Sequence, residues 1–517
     1  VAARAGWRTL LGPPEDRPGV LVTGACLLLL AVAGLLASAD WATRGPTGWL
    51  GLLLLSAFVL AVFAIYVRKL QPREAQTPKN LLILCIVFLT VLILARLFLL
   101  LADSVALAVP SAPRTSLEYL MPIALGGILL QVLFNTRLGF AGSLVLSILT
   151  SLLAGGELRF FFFALVGGIV GVFAIGERQE RAGFFRAGAW IGLANAYTLL
   201  GVSLFEGQPG RLGADLLAAL ANGFVVALLA AGLLPLFESL FGVTTNFGLL
   251  ELANLQQPLL RDLVLRAPGT YHHSVMVGML AEAAAEAIGA NALLCRVAAY
   301  YHDIGKLRQP GYFVENQPEA GSRHDRLSPN LSSLIIISHV KEGMELARQH
   351  RLPPPIIEMI PQHHGTGLVT FFYHKAREAA DPQHGEVQQE EFRYPGPKPQ
   401  TKEAAIMMLA DAVEAASRTV AEPAPAKIQG LVERIIQTVF ADGQLEECDL
   451  TLRDLHRIAD SFTRTLAGIF HHRVDYPGGP VAELARRGHG NGHSGPKPAP
   501  HDPDRRAEAE PARPDRP

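Results

Sequence analysis

Ala299-Tyr-Tyr-His-Asp-Ile-Gly-Lys306 is the stretch on which the reading turns, because it sets an adjacent His302-Asp303 pair at the end of an amphipathic run, with a lysine three residues on. An aspartate has two oxygens and can serve two cations while the neighbouring imidazole fixes one of them. Two ions about 3.5 to 4 Å apart hold a water and a phosphoryl oxygen together. Lys306 then sets an ammonium beside the phosphate, where it stabilises transition-state charge. Gly305 is expected to end the helix and turn that lysine toward the site.

Working outward, further ligand-type residues stand on successive helical runs: His273, His339, His363, His364 and Asp411. Neutral imidazoles mixed with carboxylates suit first-row metals such as iron, manganese or zinc. His273, His302, Asp303 and Asp411 are assigned to a first ion. His339, His363 and His364, with Asp303 shared, are assigned to a second. In the doublet His272-His273 the residue directly before Ser274 is taken as the ligand. His324, His350, His374, His456, His471 and His472 lack comparable support and are read as surface residues. The catalytic pair is therefore Asp303 and Lys306.

These residues lie in a soluble, mainly helical region expected over 250–476. Helical periodicity covers 275–288, 291–301, 331–350, 355–363, 402–420, 428–440 and 452–471, and no run alternates as a strand. Pro268-Gly269 punctuates the approach to the first of these helices. Residues 381–399, rich in Pro, Gly, Gln and Glu, read as an exposed loop. From 477 to 517 the composition cannot bury a core, and a disordered tail is expected, with His489, His493 and His501 solvated.

The first half is a different solvent problem. The chain of 517 residues is 50% hydrophobic with a mean hydropathy of +0.28, and charge is scarce before residue 250. Apolar runs at 19–38, 48–67, 81–101, 119–134, 138–153, 158–176, 183–205 and 213–240 have about the length that spans a hydrocarbon core. The expected bundle is 19–241 with eight spans. The fourth and fifth runs are short, so a re-entrant hairpin leaves seven as the alternative. Basic residues concentrate in alternate loops: Arg4, Arg8 and Arg17; Arg68, Lys69, Arg73 and Lys79; Arg137; Arg178, Arg181 and Arg186. That alternation places both termini, including segment 1–18, on the cytoplasmic side. Gly167-Gly168 and Gly171 suggest close helix packing. A net charge of -1 gives no ground for a nucleic-acid polymer as partner, and the four cysteines have no paired spacing. The fold class is all-α, a polytopic transmembrane bundle followed by a cytoplasmic helical phosphohydrolase domain.

At these residues the chain resembles the HD superfamily of metal-dependent phosphohydrolases, and within it the membrane-bound, seven-transmembrane cyclic di-AMP phosphodiesterases of the PgpH type. The segments that carry the likeness are 267–274, 299–306, Tyr312-Phe-Val-Glu-Asn-Gln317, 335–341, Gln362-His-His-Gly-Thr366, Phe392-Arg-Tyr-Pro-Gly-Pro-Lys-Pro399 and 442–449. The resemblance implies a dinuclear site, iron or manganese in the cell, in a bacterial inner-membrane protein that cuts cyclic di-AMP to linear pApA and so lowers a second messenger. It implies the lipid bilayer and cyclic di-AMP as partners and leaves a homodimer open. His363-His364-Gly365-Thr366-Gly367-Leu368 lacks the acidic residue and Gly-Tyr-Pro signature of cyclic di-GMP-degrading relatives. Family members usually carry a large extracytoplasmic domain before the bundle, whereas here only Ala39–Thr47 separates the first two runs, so extracellular sensing is not carried over. Tyr312, Glu315 and Asn316 are candidates for lining the pocket, Arg393 for a phosphate partner and Tyr394 for a stacking face.

Overall fold

A computed structural model describes residues 41–71, 77–109, 113–176, 182–207, 212–317, 322–380, 387–420 and 424–470. The segment 1–18, the first expected span and the tail from 477 lie outside the described residues, as do His471 and His472. Among the described residues the architecture is helical, and the strand-type pairing is confined to one bridge between Leu368 and Arg393.

Among the described residues six helices are long and apolar enough to cross a bilayer: α1 (Trp41–Leu70, kinked at Gly45), α2 (Pro78–Ala108), α5 (Thr136–Leu153), α6 (Leu158–Ile175), α7 (Ala182–Glu206) and α8 (Leu212–Phe241). The fourth expected run, 119–134, is not a continuous helix. Its helical part is the ten-residue α4 (Ala124–Leu133), all of whose residues are buried, and the short α3 (Arg114–Glu118) precedes the run. Pro122 has no N–H to donate and disfavours helical backbone at the residue before it, so the chain unwinds there. Unwound backbone at membrane depth survives only where protein groups satisfy it. Asn222 of α8 does so, donating Nδ2 to the Met121 carbonyl at 2.7 Å, and Asn195 of α7 donates to Asn222 at 3.2 Å.

The broken segment still joins opposite ends of the bundle. Arg114 pairs with Asp103 near the end of α2, and Ser116 donates to Asp215 at the start of α8. At the far end Asn135 donates to Gln71, just past α1. Helix packing is close where glycines meet: a Cβ on Gly223 of α8 would stand 2.0 Å from the Gly188 carbonyl oxygen of α7, and one on Gly168 would stand 2.8 Å from Ser143 Cβ.

The linker leaves the same end that carries the basic loops, where Lys79 donates to the Gly242 carbonyl at 3.3 Å. Two short helices that periodicity missed follow, α9 (Asn246–Leu252) and α10 (Pro258–Arg266). Their Leu249, Leu259, Leu260 and Leu263 are buried against Val297, Tyr301, Ile304 and Leu307. The soluble domain continues with α11 (Pro268–Ile288), α12 (Ala292–Tyr301), α13 (Pro329–Gln349), α14 (Pro354–Gln362), α15 (Thr370–Ala379), α16 (Lys402–Ser417), α17 (Pro425–Ala441) and α18 (Leu452–Ile469).

Three expectations need correction. Pro268-Gly269 is the first turn of α11 rather than a break before it, because proline suits a position whose N–H would be unpaired anyway. Helix α12 ends at Tyr301, before Gly305, and residues 304–308 form a 3-10 turn. Gly305 is needed for contact, since a Cβ there would stand 1.8 Å from the His339 carbonyl oxygen. The expected exposed loop 381–399 is exposed only in part: Phe392, Tyr394 and Pro399 are buried as a strap over the domain, while 381–386 lie outside the described residues.

Gly223→Ala should cost about 1–3 kcal/mol by overpacking the α7–α8 crossing. Thermal unfolding in detergent checks it, and an unchanged Tm would show that the two backbones do not meet.

Candidate metal centre

Five helices deliver the ligand-type side chains. His273 comes from the second turn of α11, His302 caps α12 with Asp303 next to it, His339 lies midway along α13, His363 and His364 end α14, and Asp411 lies on α16. All seven are brought together. His272, the other member of the doublet, is exposed, whereas His273 is buried.

Asp303 is the hinge of the arrangement. Its Oδ2 lies 3.3 Å from His302 Nε2 and 3.6 Å from His273 Nε2. Its Oδ1 lies 3.3 Å from His339 Nε2 and 3.8 Å from His363 Nε2. One carboxylate thus divides its oxygens between two pairs of imidazoles. Asp411 closes the first group with Oδ1 at 2.9 Å from His273 Nε2, and its Oδ2 is 3.8 Å from His364 Nδ1. The donor atoms sort into His273, His302 and Asp411; His339, His363 and His364; and the bridging set His302, Asp303 and His363, each within 4.8 Å.

The ring nitrogens that point away are fixed locally. Nδ1 of His302 meets the Ala299 carbonyl at 2.7 Å, that of His339 meets Ile336, and that of His363 meets Ile360. Each partner lies three residues back on the same helix, which holds the Nδ1–H tautomer and leaves Nε2 as a lone pair. Nε2 of His302, His339 and His363, with Asp303 Oδ1, are buried atoms without a hydrogen-bond partner. Leaving a buried polar atom unpaired costs about 1–3 kcal/mol, so four converging on one place call for a common partner. A pair of divalent cations fits that donor set.

The charges agree. Burial alone would raise the Asp303 carboxyl, but His302 and Lys306 hold it well below the usual carboxylate range. Burial lowers His363 well below its ordinary value and takes His364 down to about 3, both toward the neutral, ligating form. His302 goes the other way: burial pulls it down, yet Asp303 and Asp411 push it up to about 10 when no cation competes for the carboxylates.

Lys306 Nζ sits 2.7 Å from Asp303 Oδ2 and 2.8 Å from Glu315 Oε1, over the Phe313 ring. Burial would lower its pKa, but Asp303 and then Glu315 raise it, so it remains an ammonium. The other pocket candidates spend their polar groups on structure. Glu315 also accepts from Thr270 at 2.9 Å. Asn316 Oδ1 accepts from the backbone N–H of Gly269 and Thr270, satisfying the open N-terminus of α11. Arg393, expected as a phosphate partner, has its guanidinium on Asp442 and the Thr366 carbonyl. Tyr394 stacks on His364, with ring centroids 4.2 Å apart, so that face is taken. The Tyr312 carbonyl accepts from His324 Nε2 at 2.8 Å.

Sequence reasoning missed three groups. His324 is buried, not a surface residue, wedged between Tyr312 and Phe372. Gln444 accepts from Thr366 N–H and donates to Asp442, bracing the turn after His364. Glu414 meets His273 Nδ1 at 2.5 Å. Its signal was spacing, since Asp411 and Glu414 are one turn apart on one helix face.

Residues 46–245 match the family described as a 7TM receptor with intracellular HD hydrolase, and residues 270–416 match the HD domain. The cyclic-di-AMP phosphodiesterase PgpH of Bacillus subtilis (strain 168) is 40% identical over 436 residues, which are 83% of this chain and 60% of that protein. The enzyme of the same name from Listeria monocytogenes serotype 1/2a (strain 10403S) is 39% identical over 430 residues, 81% of this chain and 58% of that one. The chain therefore spans about three fifths of the length of these relatives. A crystal structure of the L. monocytogenes PgpH HD domain in complex with cyclic-di-AMP is 50% identical and covers 43% of this chain and 100% of that one, with a TM-score of 0.40.

Asp303→Ala should abolish metal retention in both halves of the site, read as metal per chain after gel filtration, with helical content unchanged. His273→Ala should lower it and His272→Ala should not. Equal effects at 272 and 273 would overturn the assignment.

Proposed function

We propose, from the family matches over residues 46–245 and 270–416, that this chain is a membrane-tethered two-metal phosphodiesterase that hydrolyses cyclic di-AMP to linear pApA. The observation that carries the reading is the Asp303 carboxylate, split between two groups of inward-facing imidazoles. The names of its relatives supply the substrate. Iron or manganese is the metal that the family resemblance implies, and the mixed imidazole and carboxylate donors suit first-row metals in general.

When bound, two such ions supply a water acidic enough to attack phosphorus at neutral pH and positive charge for the phosphoryl oxygens. The protein's part is to hold and orient. Asp303 fixes the spacing of the two halves, and the carbonyls of Ala299, Ile336 and Ile360 hold three imidazoles in the ligating tautomer. Lys306, an ammonium clamped between Asp303 and Glu315, offers fixed charge to the phosphate at no reorganisation cost.

The domain plan in this reading is a bundle over 19–241, the hydrolase over 250–476, and flanking segments 1–18 and 477–517. The protein is a multi-pass membrane protein. Its hydrolase lies on the cytoplasmic side of a bacterial inner membrane, because Arg68, Lys69 and Lys79 mark the end of the bundle from which the linker leaves.

Product analysis on the purified full chain tests this. Cyclic di-AMP should yield pApA, chelation should stop the reaction, and iron or manganese should restore it better than magnesium. Equal or faster cleavage of cyclic di-GMP would overturn the substrate. Lys306→Ala should lower kcat by about 10²–10³ with metal content retained, and an unchanged kcat would make that lysine a purely structural group.

A further inference from the structure

His273 differs from the other inward imidazoles in what holds its back. His302, His339 and His363 each lean on a neutral main-chain carbonyl three residues earlier. His273 leans instead on a carboxylate from another helix: its Nδ1 is 2.5 Å from Glu414 Oε2. Glu414 is 3% exposed, and its second oxygen, Oε1, accepts from Arg418 Nε at 2.9 Å and Nη2 at 2.7 Å. Asp411, Glu414 and Arg418 recur at intervals of three and four residues, so they share one face of α16 and its C-cap. Asp411 reaches the front nitrogen of His273 at 2.9 Å while Glu414 holds the back one.

A buried carboxylate without a countercharge is costly, and the two Arg418 bonds meet that cost at the rim, where Arg418 is 38% exposed. Arg418 therefore holds the Glu414 side chain in place against His273. A carboxylate acceptor at Nδ1 pins the ring plane and turns Nε2 toward the centre, a firmer support than a main-chain carbonyl. A main-chain carbonyl moves only with its helix, whereas this support crosses from α11 to α16. It makes the position of His273 depend on the register of two helices.

We infer that Glu414, held by Arg418, is a positioning residue that sets the affinity of one half of the centre, the half built on His273, His302 and Asp411. The inference rests on the two-metal reading. It assigns no contact with substrate to Glu414, and it makes the two halves unequal. In the other half His339 and His363 lean on main-chain carbonyls, and His364 Nδ1 lies 3.8 Å from Asp411 Oδ2, too far for the close support that Glu414 gives His273.

The test uses the full chain in detergent, stripped of metal and titrated with Mn²⁺, read by binding isotherm and electron paramagnetic resonance. The wild type should bind two ions and show a spin-coupled pair. If it binds fewer, the two-metal reading fails on the wild type before any variant is made, and the inference falls with it. In Glu414→Gln one affinity should fall about 10–100-fold and the other should hold. At intermediate Mn²⁺ the coupled signal should give way to that of an isolated ion. Saturating Mn²⁺ should restore kcat with KM for cyclic di-AMP unchanged. Arg418→Met, altered at the exposed rim, should show the same loss in smaller measure, which covers the case in which the Glu414 variant fails to fold. Two unchanged affinities, equal weakening of both sites, or a lowered Tm as the sole effect would overturn the inference.

Discussion

The structure of the soluble domain depends on burying one carboxylate. Asp303 is 1% exposed, and an ionised carboxyl in that position is tolerable only if both oxygens find positive or hydrogen-donating partners. The protein supplies Lys306 to Oδ2 and nothing of its own to Oδ1. Asp303, Asp411, Glu315 and Glu414 bring four acidic side chains to the centre, while Lys306 and Arg418 bring two cations. With every imidazole in the neutral, ligating form, that leaves the centre two positive charges short. A pair of divalent ions would reverse the deficit and make the site attractive to a polyanion. A mononuclear site would only cancel it.

The rest of the domain places side chains around that charge. Helix α13 can approach the His302-Asp303 turn because Gly305 has no side chain to push the His339 carbonyl away, and Gly343, one turn further along α13, meets Gly305 and Ile360 of α14. The strap at 392–399 packs Phe392 and Tyr394 inward, and Arg393 with Gln444 ties it to the turn at Asp442. These bonds stiffen the segment from His363 to Thr366, where two consecutive ligand-type residues must face different partners.

Much of this was legible, for a physical reason. Ligand-type side chains at positions where a helix would otherwise be apolar are conspicuous, so His302-Asp303 and His363-His364 stood out against their own helices. Long apolar runs were equally plain. What failed to show were groups whose type has an ordinary alternative. Glu414 on an amphipathic helix looks solvated, and its role appears only when α11 is placed against α16. Asn316 and Arg393, read as candidates for base and phosphate contacts by residue type, also bind inside the protein, to backbone N–H groups and to Asp442. The break at 119–123 was hidden because every residue there is compatible with lipid. Pro122 was its one trace, and the Asn222 cap that makes the break tolerable lies 101 positions from the Met121 carbonyl.

The same reasoning bears on how the membrane half meets the chemistry. The His302–Lys306 segment is clasped on both sides by the linker that leaves the bundle. Tyr301, directly before His302, donates its hydroxyl to the Leu252 carbonyl of α9 at 2.9 Å, and Arg266 of α10 donates to the Leu307 carbonyl, directly after Lys306, at 2.9 Å. Between those two bonds lie Asp303 and Lys306, and beneath them runs the apolar seam of Leu249, Leu259, Leu260 and Leu263. A displacement of α9 or α10 cannot leave the His302–Lys306 turn in place without breaking one of the two bonds or opening that seam. Opening it would expose leucines whose burial is worth about 1.5–3 kcal/mol each. The low-cost motion is for the turn to follow the linker, and since Gly305 rests on the His339 backbone, the turn cannot move far before it disturbs the second half of the centre.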